Sequence, residues 1–183
     1  MPSNANCCDT CRHTKDTACP KRIECLTDGP LCHEDPKCTE LRANNMLTWR
    51  RERLTRPTIL IGTGTCGLGA GAGKTLEVIK SYLASNKIDA DVVEIGCVGL
   101  CAVEPMMDVQ LPGRTRVSFQ NVTADMVEGL LETTLAGNMP SDGVIAQFRS
   151  DTAEPYAGVQ FMDEHSFFGP QTRWVLANCG MID

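Results

Sequence analysis

Residues 57–69 read PTILIGTGTCGLG, and residues 91–105 read DVVEIGCVGLCAVEP. Each stretch begins with an apolar, β-branched run of strand length and ends in glycine and cysteine. Cys66, Cys97 and Cys101 therefore fall at strand ends, each wrapped in glycine. Glycine lets a backbone turn tightly and brings N–H groups close to sulfur. Thiolates on such loops suit iron–sulfur ligation.

The surrounding sequence supplies the rest of an α/β domain over residues 57–137. PTILIG reads as a first strand, and AGKTLEVIKSYLASN as an amphipathic helix with Leu76, Ile79 and Leu83 on one side. DVVEIG and MMDVQL are the second and third strands, Pro112-Gly113 marks a turn, and TRVSFQNV is a fourth strand. Thr123 and Asp125 open a last helix through Met126, Val127, Leu130, Leu131 and Leu135, which Gly137 stops. The order β-α-β-β-β-α has the element content of a thioredoxin-like fold.

The flanks differ. Residues 1–40 hold Cys7, Cys8, Cys11, Cys19, Cys25, Cys32 and Cys38 among prolines and charges, with almost no hydrophobic periodicity. Such a stretch needs a staple, and a thiolate-bound metal supplies one. Cys8-x₂-Cys11 is a short chelate; zinc and a [4Fe–4S] cluster both accept four thiolates, and His33 suits zinc better. Residues 41–56 are expected to form a basic linker helix carrying Arg50, Arg51, Arg53 and Arg56. Residues 138–183 are turn-rich, with no visible core of their own, and are expected to lie as an extended docking tail.

Composition narrows the class. The 183 residues carry a formal charge of −6, which argues against general nucleic-acid binding. The sign is uneven, with ten Lys/Arg against eight Asp/Glu up to residue 56 and seven against fifteen beyond it. The basic excess fits either a solvated helix face or a dock for an acidic subunit. Eleven cysteines without an apolar leader point to a reducing, cytoplasmic compartment and to metal ligands in place of disulfides. No run reaches the length of a membrane span, so no direct membrane insertion is expected.

Competing motifs fit less well. GTGTCG at 62–67 matches G-x-G-x-x-G, with Asp89 and Asp91 downstream, yet the domain is too short for two mononucleotide-binding halves. GLGAGAGKT misses the P-loop pattern, because Leu68 stands where it needs glycine. Cys66-Gly-Leu-Gly69 lacks the second thiol of a C-x-x-C redox pair. No Ser/His/Asp arrangement or carboxylate pair has supporting context, so the chain reads as a carrier, non-catalytic alone.

TGTCGLGAGAGKTLEVI, EIGCVGLCAVEPMMDV and PGRTRVSFQNVTADMV together resemble the thioredoxin-like [2Fe–2S] ferredoxin domain that precedes the flavin domain in complex I-type NADH-binding subunits. Electron-bifurcating hydrogenase beta subunits and the class II benzoyl-CoA reductase complex contain similar subunits. The tail HSFFGPQTRWVLANCGMID and the start GPLCHEDPKC resemble the flanks of the same domain. The resemblance implies a [2Fe–2S] cluster on Cys66, Cys97 and Cys101, with Gly62, Gly64, Gly67, Gly96 and Gly99 letting the loops approach it. It also implies partner subunits that carry FMN, NADH sites and further iron–sulfur centres. A second metal site would draw on Cys8, Cys11, Cys19, Cys25, Cys32 and Cys38.

Two departures bear on this expectation. The family's first loop reads C-x₄-C, and here Ile61 occupies the first position, leaving the fourth ligand to an N-terminal cysteine, Cys179 or a group other than cysteine. The chain also stops at Asp183, where the flavin domain would begin, which fits a split-off accessory subunit or a fragment that does not itself oxidise NADH. The rival expectation is a cluster-free assembly module with a zinc-stapled N-terminus.

Overall fold

The computed structural model describes residues 40, 47, 51–176, 179 and 180. The chain divides into two units, Met1–Trp49 and Arg50–Asp183, and the second holds every element named below. The N-terminal cysteines Cys7 to Cys38 and most of the expected basic helix lie outside the described residues.

Five strands form one mixed sheet in the order β2-β1-β3-β4-β5. They are β1 (Thr58–Gly62), β2 (Asp91–Ile95), β3 (Met107–Gln110), β4 (Val117–Phe119) and β5 (Val144–Gln147). β1 and β2 run parallel, with Ile61 opposite Glu94, and the remaining neighbours are antiparallel. Parallel neighbours need a crossover. Here it is two consecutive helices, α1 (Thr65–Ala70) and α2 (Ala72–Ser85), hinged at Gly71, whose φ of 107° is left-handed. A third helix, α3 (Val127–Leu135), follows β4 and packs beside α2. The fold is mixed α/β and thioredoxin-like, as the element order predicts.

Strand alternation sorts the core into two layers. Ile59 and Ile61 of β1, Met107 and Val109 of β3, and Val117 and Phe119 of β4 meet Ile79, Leu83, Val127 and Leu131 from the helices. Each such side chain contributes about 1.5–3 kcal/mol by leaving water. Leu76 is only partly buried, while Thr75 is fully buried and donates its hydroxyl to the Val122 carbonyl at 2.9 Å. Helix α3 starts at Val127, after a turn that Thr123 opens by accepting the Met126 N–H at 3.0 Å.

The opposite sheet face is covered by the C-terminal segment. Residues 144–147 add β5 beside β4, and Phe168 then packs with Met106, Ile145 and Ala146. Beneath it lies a buried polar stripe that includes Asp108, Arg116 and Ser118. The residues expected to form a docking tail thus contribute a strand and a second small core.

Candidate metal centre

Two loops at one end of the sheet carry the site. The first leaves β1 through Gly62 and Gly64 and enters α1, with Cys66 in its first turn. The second leaves β2, passes Cys97, and reaches Cys101 at the start of a single 3₁₀ turn, Cys101–Val103. The loops touch closely: a Cβ on Gly64 would stand 3.2 Å from the Cys97 backbone nitrogen. At Gly67 the approach is tighter, since a Cβ there would come within 2.0 Å of the Gly62 carbonyl oxygen. Gly99 takes φ +95°, a left-handed conformation that costs an L residue energy. This aims its N–H at the Cys97 sulfur, 3.2 Å away.

The three sulfurs converge. Cys97 Sγ and Cys101 Sγ are 3.4 Å apart, and Cys66 Sγ completes a group within 4.8 Å of one another. Two thiolates on one tetrahedral metal at about 2.3 Å each lie about 3.7 Å apart, so the Cys97–Cys101 pair has the span of one ion's two ligands. Cys66 and Cys101 are exposed and Cys97 is half-buried. Burial pushes the Cys97 thiol above its ordinary pKa, against the lowering effect of the Gly99 N–H, and the neighbouring Cys101 and Glu104 push it further up. A thiolate at Cys97 therefore calls for a cation, which a metal provides. The donor set of soft thiolates fits zinc or an iron–sulfur cluster.

Glu104 stands next to last in the quoted stretch DVVEIGCVGLCAVEP, where the sequence reading gives it no role. It is buried at 8% exposure, and its Oε2 accepts the Met106 N–H at 2.8 Å. Burial raises its carboxyl above the ordinary carboxylate range, the Met106 N–H opposes this, the Asp108 charge adds to it, and the Cys97 side chain lowers it. A Cβ on Gly62 would stand 3.1 Å from Oε2, so the missing side chain is what makes room for the carboxylate. The available signal was an acidic residue inside the apolar run AVEPMM.

The other expected residues fall elsewhere. Ile61 is fully buried in the core on the helix side of β1. Cys179 stands outside the three-sulfur group and lines an apolar cavity of about 260 Å³ with Val98, Met106 and Phe168. Gly96 has open space where a side chain would stand. His165 is a local structural residue whose Nδ1 accepts the Phe167 N–H at 3.1 Å. Among the described residues no helix is long and apolar enough to cross a membrane.

Fold and site together define an α/β domain with a three-thiol centre on two glycine-rich loops. The chain is distantly related to the NADP-reducing hydrogenase subunit HndB of Solidesulfovibrio fructosivorans, being 23% identical over 105 residues, which span 57% of this chain and 83% of that one. It is also similar to the thioredoxin-like [2Fe–2S] ferredoxin of Aquifex aeolicus. One structure of that protein gives 14% identity, a TM-score of 0.44 and coverage of 53% of this chain and 96% of the ferredoxin. A second, at 1.5 Å resolution, gives 15%, 0.43, 51% and 99%. No protein-family profile matches the chain.

Proposed function

We propose that the chain is an iron–sulfur electron-transfer subunit of a multi-subunit, nicotinamide-linked oxidoreductase. The observation that carries this reading is the convergence of Cys66, Cys97 and Cys101 within 4.8 Å on two glycine-rich loops. Those three thiolates hold a [2Fe–2S] cluster, which supplies one-electron chemistry when bound. The Gly99 N–H hydrogen-bonds the Cys97 sulfur and stabilises added negative charge there. Exposure of Cys66 and Cys101 keeps the distance to a docked partner short. Leu68, at 55% exposure, and Trp174, at 85%, leave apolar surface on α1 and on the C-terminal segment that a partner would cover.

The relative is named as a subunit of an NADP-reducing hydrogenase, which supports membership in a complex of that kind. In this reading the partners carry the flavin, the nicotinamide site and further iron–sulfur centres, the complex is cytoplasmic, and any electron bifurcation belongs to those partners. A second metal, as [4Fe–4S] or zinc, sits on a subset of Cys8, Cys11, Cys19, Cys25, Cys32 and Cys38 in an N-terminal extension ahead of the linker and the domain.

The test is iron and sulfide analysis of the anoxically purified full chain, with EPR after dithionite reduction. Two irons and two sulfides per domain with a rhombic S = 1/2 signal are expected for such a cluster. Iron absent from both the isolated chain and its complex sinks the reading. The alternative, a cluster-free assembly module with a zinc-stapled N-terminus, is favoured by Ile61, and zinc without iron would establish it.

A further inference from the structure

Three thiolates leave one ligand position of a two-iron centre open. We infer that the Glu104 carboxylate is the fourth ligand, an oxygen donor added to the three thiolates; this rests on the cluster reading above. Ile61 has no donor atom and lies in the helix-side core, while Gly62 faces the side where Glu104 lies.

Two observations converge on Glu104. First, its carboxylate is buried with no positive partner: no lysine or arginine pairs with it among the described residues, and Asp108 adds charge of the same sign. A buried anion costs several kcal/mol unless a cation or further hydrogen bonds compensate it. One backbone N–H, from Met106, reaches Oε2, and the Cys97 side chain is the only other group among the described residues that favours the charged form. Iron bound by this carboxylate would supply the missing charge. Second, the carboxylate lies in a cradle made of glycine. Cβ atoms on Gly62 and Gly67 would stand 3.1 and 3.3 Å from Oε2, and the Gly62 one also 3.4 Å from Oε1. These two glycines belong to the loop that presents Cys66.

The chemistry is balanced. A carboxylate carries the same single negative charge as the thiolate it replaces, so the oxidised centre keeps its net charge. Iron accepts carboxylate oxygen readily, as in sites that combine two histidines with one carboxylate. Glu104 does not join the group of atoms within 4.8 Å of one another.

The experiment uses the full chain, expressed anoxically with ¹³C-carboxyl-labelled glutamate and reduced with dithionite. Pulsed ENDOR of the wild-type cluster should reveal a ¹³C hyperfine coupling. Glu104→Cys should keep its iron, lose the coupling and shift its charge-transfer bands to lower energy. Glu104→Gln preserves the acceptor for Met106 and should lose iron to a chelator at least tenfold faster. A wild-type cluster without ¹³C coupling overturns the assignment, as does a Glu104→Gln variant with unchanged iron retention and spectrum. If either variant fails to fold, the wild-type coupling alone decides. Absence of iron from the wild type instead defeats the electron-carrier reading itself.

Discussion

The Arg173 guanidinium donates to the Val98 carbonyl oxygen at 2.6 Å, tying the C-terminal segment to the middle of the loop between Cys97 and Cys101. Leu176 follows onto the same loop, its Cδ1 lying 3.5 Å from where a Gly99 Cβ would stand. Gly180 backs onto Val98 so closely that a Cβ there would come within 2.4 Å of Val98 Cγ1. The loop that carries two of the three thiols is therefore shaped by residues some eighty positions downstream.

Arg173→Gln should loosen this strap. A hydrogen bond from a charged donor contributes about 1.5–3 kcal/mol when buried, and Arg173 is only half-buried, so a loss of about 1 kcal/mol is expected. The effect should concentrate at the site. Iron release to a chelator is expected to accelerate about five-fold, matching that loss, while the urea midpoint moves little. Equal release rates in variant and wild type would show that the strap does not guard the loop.

Cys66→Ser, Cys97→Ser and Cys101→Ser should each abolish most of the visible absorption of the reconstituted chain. Cys179→Ser should leave it intact, because Cys179 lines the apolar cavity and stands outside the thiol group. Iron content and absorption spectra of the four variants check this pattern. A Cys179→Ser variant that alone loses its iron would reassign the centre.

Gly67→Ala and Gly69→Ala form a matched pair in one short helix. At Gly67 a Cβ would lie 2.0 Å from the Gly62 carbonyl oxygen, a backbone atom that cannot swing aside, whereas at Gly69 it meets nothing within 4 Å. Gly67→Ala should cost about 1–3 kcal/mol by overpacking and displace Cys66. Gly69→Ala should gain about 0.5–1 kcal/mol from helix propensity. Urea unfolding of both apo variants, with iron uptake measured alongside, tests the opposite signs.

Much of this was legible because it rests on local periodicity. TILIG is a short continuous apolar run, buried on both faces with Ile59 and Ile61 on the helix side, and the spacing of Ile79 and Leu83 gives the buried face of α2. Glycines beside Cys66, Cys97 and Cys101 likewise marked the loops that meet. What escaped depends on tertiary cover. β5 is four residues, VIAQ, set between the turn signals SDG and RSD, too short for a period to register. Alternation alone marks Asp108, Arg116 and Ser118 as outward-facing, yet all three are buried because the C-terminal segment lies over them. Glu104 is a mixed case, since its place in the apolar run AVEPMM is a local signal while its burial under the loop is set by tertiary contacts.

The buried pair of Asp108 and Arg116 yields the last prediction. The Arg116 Nε donates to Asp108 Oδ2 at 2.7 Å, Nη2 reaches the same oxygen, and Nη2 also donates to the Gly180 carbonyl at 2.6 Å. The guanidinium lies 4.6 Å from the centre of the Phe148 ring. The two side chains are only 7% and 5% exposed, so neither charge has water to fall back on. Arg116→Met takes the guanidinium from the buried carboxylate, and Asp108→Leu takes the carboxylate from the buried guanidinium; each should cost about 3–5 kcal/mol. Removing both charges together avoids the stranded ion, so the double variant should be less destabilised than the two single losses added, by about 0.5–3 kcal/mol. Both the Arg116→Met and the double variant also release Gly180, and should therefore lose iron faster than Asp108→Leu at equal stability. A double-mutant cycle by urea unfolding, paired with chelator release rates, separates the two effects. Additive losses would mean that the pair is electrostatically idle, and equal release rates would mean that Arg116 does not hold the strap.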